Sequence, residues 1–197
     1  MEEQISSRDI EELANSFTGP YIKKDYMPLE VIIEILYKYN LMYDIFNFRI
    51  PKFSGMLHSL EGQYIIVVNQ NHHIRKRTFT VAHEIGHYLL HLHLMTEFFC
   101  NDMFKATNKK IENEANRFAA EILMPLYVFL NLLKSTKDNF TSIARRLNIS
   151  EEAVRWRYVD LCNEHANIPR NVLIEKVIKP YKTEQDRRYN MRQFDLI

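Results

Sequence analysis

The stretch TVAHEIGHYLLHLHL, residues 80–94, sets four imidazoles and one carboxylate into otherwise apolar, helix-forming sequence. His83 and His87 are four residues apart, about 40° around an ideal helix, so both rings project to one side, one turn apart. That separation suits two nitrogen ligands on one zinc ion. Glu84 follows His83 by about 100° of helix rotation, so it can face the open position of the ion instead of the ion itself. A carboxylate there can take a proton from an attacking water and later pass it to a leaving amine. The five residues HEIGH thus make an HExxH pattern. Val81, Ala82, Ile85, Leu89 and Leu90 around them are apolar, which predicts a buried helix whose polar groups need partners.

A third ligand has to come from elsewhere. His93 lies ten residues after His83, where the extended HExxHxxGxxH pattern has its last histidine, but that pattern breaks the helix at a glycine. Leu90 stands at that position, and an unbroken helix carries His93 roughly 15 Å from His83, out of reach. His91 is one turn beyond His87, either close to the site or packed on the helix face. The stretch IENEANRFAAEILMP offers Glu112, Glu114 and Glu121. With Ala115, Phe118, Ala119, Ile122 and Leu123 taken as its buried face, Glu114 and Glu121 flank that face and Glu112 projects about 160° from Glu114. Periodicity leaves Glu114 and Glu121 both open, the other being free to orient a ligand histidine.

Several elements must position these groups. Ile10, Leu13 and Ala14 recur at helical spacing near the N-terminus, and Pro28 opens a second helix, PLEVIIEILYKYNL, with Asn40 near its end. LMYDIFNF, SGMLHSL and QYIIVVNQ read as strands of a small meander, with Glu61-Gly62 as a hairpin turn. YIIVV should be covered on both faces. The motif helix is predicted to start near Arg77 or Thr78, and the glutamate-bearing helix to stop or bend at Pro125. This is an α+β layout, helices around one small antiparallel or mixed sheet.

The combination of RTFTVAHEIGHYLLH with ENEANRFAAEILMP about twenty-five residues later resembles the ImmA/IrrE family of zinc metallopeptidases, in shape over about residues 8–160. The resemblance implies a zincin-like peptidase fold, with Glu114 as the third ligand beside His83 and His87, and Glu84 as the catalytic base. It implies Zn2+ at the site, with Mn2+ as an alternative activating metal. The substrate it implies is an intracellular protein, a helix-turn-helix repressor of a mobile element or stress regulon. A donor for the developing oxyanion is expected among Tyr88, His91 and Arg77. A non-catalytic antirepressor with a structural zinc site is the contrasting reading, and an intact Glu84 speaks against it.

FTSIARRLNISEEAVRWRYVDL has the form of helix, turn, helix, with Ser150 as N-cap. A DNA reader would place Arg155 and Arg157 in a major groove. Glu151 and Glu152 stand where phosphates would approach, and the net charge of the chain is only +1, which favours a helical hairpin packed on the peptidase. The chain then divides into a metallopeptidase domain over 1–135, a helix-turn-helix-like segment over 136–165 and a basic tail over 166–197, whose DRRYNMRQ cluster reads as solvated.

Composition closes off other classes. Four glycines and no GxGxxG or GxxxxGK[ST] leave no phosphate cradle. Cys100 and Cys162 lack metal or redox spacing and read as reduced thiols. The N-terminus is acidic and amphipathic instead of basic then apolar, and the longest apolar runs are too short for a bilayer, so a cytoplasmic protein without membrane contact is expected.

Overall fold

A computed structural model describes residues 5–22, 25–95, 109–134 and 139–164. The basic tail, Cys100 and the polar connection CNDMFKATNKK up to residue 108 lie outside the described residues. Helix α1 (Ser7–Thr18) begins at a capping box in which Ser6 and Asp9 satisfy each other's backbone N–H groups. Helix α2 (Pro28–Lys38) has its proline in the first turn and ends before Asn40, whose φ of 50° turns the chain out.

Three strands follow: β1 (Met42–Phe46), β2 (Gly55–Leu60) and β3 (Gln63–Asn69), in the order β1-β3-β2. β2 and β3 form the expected hairpin, with Leu60 opposite Gln63 and both Glu61 and Gly62 at positive φ, 51° and 81°. Positive φ at both turn residues matches the right-handed twist of the flanking strands. The meander is corrected in one respect: β1 pairs parallel with β3, Met42 against Ile65, so the sheet is mixed. The connection from β1 must therefore cross to the far edge of β3. Buried Asn69 holds that crossing, donating to the Ile50 and Phe53 carbonyls and accepting from Asn71 N–H. β3, the central strand, buries Ile66 and Val68, whereas β1 is exposed throughout.

Helix α3 (Ile74–Met95) starts earlier than Arg77 because the ring Nδ1 of His73 accepts from Arg75 N–H, a cap that the usual Ser/Thr/Asp/Asn signature misses. Helix α4 (Lys109–Leu123) lies against α3 and stops ahead of Pro125; α5 (Leu126–Lys134) resumes beyond it. Helices α6 (Phe140–Arg146) and α7 (Glu151–Glu164) complete the described chain. One apolar core runs through all of this, from Ile10 and Val31 through Ile66, Ile85 and Phe118 to Ile143 and Tyr158. The α6–α7 hairpin contributes Ile143, Val154 and Tyr158 to that core.

Candidate metal centre

Helices α3 and α4 bring three ligand-type side chains to one point. Nε2 of His83 lies 3.0 Å from Nε2 of His87. The carboxylate of Glu112 on α4 closes the group, Oε2 3.4 Å from His83 Nε2 and Oε1 3.2 Å from His87 Nε2. These are the described residues that could together hold an ion. Ligand atoms on a tetrahedral zinc with bonds of about 2.0–2.1 Å stand roughly 3.3 Å apart, so the spacing fits. The other ring nitrogens fit as well: His83 Nδ1 is 2.9 Å from the Asn116 side-chain oxygen, which can only accept, so Nδ1 carries the proton and Nε2 offers its lone pair. Glu112 Oε1 is buried without a hydrogen-bond partner among the described residues, an acceptor that a cation would satisfy.

Glu114 stands elsewhere. The structure does not bring it to the His83/His87 pair; its Oε2 is 2.9 Å from Nε2 of His91, with Lys110 3.8 Å from its other oxygen. The reason is helix phase. Glu112 and Asn116, four residues apart, share the flank of α4 that reaches His83, and Glu114 takes the opposite flank. Glu121, the other carboxylate left open, is buried in a bidentate pair with Arg157. The signal that points to Glu112 is the same periodicity: around the face made by Ala115, Phe118, Ala119, Ile122 and Leu123, Glu112 stands roughly 50° from the centre and Glu114 and Glu121 more than about 100°.

Burial pushes the Glu112 carboxyl up, but the His83 and His87 rings beside it outweigh that and hold the group below the usual carboxylate range. Burial also lowers the His91 imidazole, against the opposing pull of Glu114. Glu84 is buried, at 3 % exposure, on the turn that carries both histidines. His93 is exposed on an unbroken helix and takes no part in the group. Of the three oxyanion candidates, the Tyr88 ring packs edge-on between Tyr39 and Tyr64, and His91 joins His87 to Glu114. Arg77 keeps a buried Nε without a hydrogen-bond partner among the described residues, about 20° from Glu84 on the surface of α3.

The arginines a DNA reader would need are both turned inward. Arg157 is 2 % exposed on Glu121, and Arg155 pairs with Glu151 above the Phe140 ring. Among the described residues no helix is long and apolar enough to cross a membrane.

The IrrE N-terminal-like domain, peptidase M78, matches residues 40–158 of this chain, which takes in the sheet, α3, α4 and the hairpin as far as Tyr158. Metallopeptidase ImmA of Bacillus subtilis is 39% identical over 62 residues, 32% of this chain and 35% of that protein. Immunity region protein 2 of Bacillus phage phi105 is 32% identical over 127 residues, 64% of this chain and 71% of that protein. A Mycobacterium tuberculosis transcriptional regulator shares the fold at a TM-score of 0.54 and 15% identity, over 76% of this chain and 46% of that one.

Proposed function

The chain belongs to the ImmA/IrrE family of metallopeptidases, and from that membership we propose that it is a zinc-dependent endopeptidase acting on a regulatory protein inside the cell. The observation that carries the reading is the convergence of His83, His87 and Glu112 at 3.0–3.4 Å on two packed helices, with Glu84 on the same turn. In this reading Glu112 takes the third ligand position that the resemblance assigned to Glu114. A zinc or manganese ion held there supplies Lewis acidity toward a peptide carbonyl. Glu84 takes a proton from water as its oxygen bonds the carbonyl carbon, then delivers it to the amine nitrogen as the C–N bond breaks.

The substrate we infer is a helix-turn-helix repressor. The family resemblance supports that class, as does the likeness to a protein named for a phage immunity region. A role as a reader of duplex DNA has less support, with Arg155 and Arg157 buried.

The test incubates purified protein and its Glu84→Gln variant with a candidate repressor and zinc or manganese. Wild type should cut one bond, and the variant should be slower by about 10²–10⁴-fold while still binding metal. Equal derepression by both proteins in cells would replace hydrolysis with antirepression by binding alone.

A further inference from the structure

Behind the metal-binding face of α3, His87 heads a chain whose other two members, His91 and Glu114, the hydrolytic reading leaves unused. His87 Nδ1 is 3.2 Å from His91 Nδ1, and His91 Nε2 is 2.9 Å from Glu114 Oε2. His87 and His91 are each 1 % exposed, so solvent cannot substitute for either contact. We propose that His91 and Glu114 are positioning residues that fix the tautomer and ring orientation of His87 through a directed hydrogen-bond relay.

The direction of the relay follows from the chemistry of imidazole. With Nε2 of His87 turned toward His83 and Glu112, its lone pair points into the metal site and its proton sits on Nδ1. Nδ1 of His87 therefore donates, and Nδ1 of His91 must accept. A neutral His91 accepting at Nδ1 carries its proton on Nε2, which donates to the Glu114 carboxylate. Each link has one donor and one acceptor, and reversing either puts two protons or two lone pairs face to face. Lys110, 3.8 Å from the second Glu114 oxygen, adds a cation on the solvent side of the relay. The relay differs from the other ligand's arrangement, where Asn116 accepts from His83 directly. A carboxylate at the end of such a chain raises the basicity of the ligand nitrogen, and losing outer partners of this kind typically lowers metal affinity about 10–100-fold.

The inference rests on the His83–His87–Glu112 reading, and its test separates the two. Full-length protein is titrated with Co2+, whose visible spectrum reports the ligand set, alongside Glu112→Gln and Glu114→Leu, which removes the acceptor for His91. The relay predicts that Glu114→Leu binds about 10–100-fold more weakly with an unchanged spectral shape, and that Glu112→Gln loses the cobalt spectrum. Glu114→Leu binding like wild type, or losing the spectrum as fully as Glu112→Gln, overturns the relay; in the second case Glu114 is itself a ligand. An unchanged Glu112→Gln titration overturns the ligand set instead. Long-range ¹H–¹⁵N spectra of wild type loaded with zinc need no variant: they should show protons on His87 Nδ1 and His91 Nε2. A proton on His91 Nδ1 overturns the proposal whether or not any variant folds.

Discussion

Two imidazole nitrogens aimed at each other at 3.0 Å, with a carboxylate across from both, form an arrangement whose free energy depends on what each ring does on its far side. For His83 that side is Asn116, whose carbonyl oxygen fixes the proton on Nδ1. Asn116→Leu leaves that N–H without its acceptor and frees the ring to rotate or change tautomer, so metal affinity should fall about 10-fold or more. Asn116→Asp restores an acceptor and adds negative charge, and should bind at least as tightly as wild type. A calorimetric zinc titration of both variants checks this, and equal weakening by Leu and Asp would remove Asn116 from the site. At this scale the pairing of the His83 and His87 rings, with Glu84 on the same turn, was legible from spacing alone, because one helical turn sets their relation. The carboxylate beside them was half legible: the apolar positions of α4 put Glu112 roughly 50° from the centre of its buried face, but whether that edge meets His83 depends on how α4 is rotated against α3. That rotation is decided by packing of residues such as Ile111 and Phe118, not by any local preference of the three glutamates.

Between elements, the close pass of α3 over α4 decides whether the site exists. A Cβ on Gly86 would come 3.2 Å from both Cα and O of Ala115 and 3.3 Å from Cβ of Phe118, and backbone atoms of a packed helix cannot step aside cheaply. Glycine inside a helix costs about 0.8–1.0 kcal/mol relative to alanine, so its use here favours approach over helix stability. Gly86→Ala should therefore gain nothing from propensity. It should force α3 and α4 apart, carrying His83 and His87 away from Glu112, with a lower unfolding temperature and weaker cobalt binding. A variant more stable by about 1 kcal/mol with unchanged cobalt affinity would show that the close approach is not needed. The elements themselves were mostly legible: α1 from its cap and apolar period, α2 from its proline, the hairpin from Glu61-Gly62, α4 from Pro125. What escaped local reading was non-local, as with the parallel pairing of β1 on β3, which depends on Asn69 holding the crossing loop. The early start of α3 escaped because its cap is a histidine.

Across the whole molecule, the peptidase helices and the α6–α7 hairpin are joined by a buried ion pair as well as by apolar packing. The guanidinium of Arg157 on α7 meets both carboxylate oxygens of Glu121 on α4, one at 2.7 Å, and its Nε donates to the Met124 carbonyl at 3.3 Å. Both side chains are nearly inaccessible, 2 % and 3 % exposed. Removing one partner of such a pair leaves a charge in a site that water cannot reach, at a cost of about 3–5 kcal/mol. Arg117, 3.7 Å from the same carboxylate, offsets part of this, so Arg157→Ala should lie toward the lower end of the range. Replacing both partners, Glu121→Leu with Arg157→Met, removes the isolated charge and should recover most of the loss. Urea unfolding of the three proteins measures the difference, and a double variant no more stable than Arg157→Ala would show that packing, not charge, holds the hairpin. The same experiment bears on function: residue 121 is on the helix that presents Glu112, so a hairpin detached in Arg157→Ala should also weaken metal binding. If cobalt affinity stays at the wild-type level while stability drops, the hairpin and the metal centre are energetically independent, and the hairpin is then free to serve substrate choice alone.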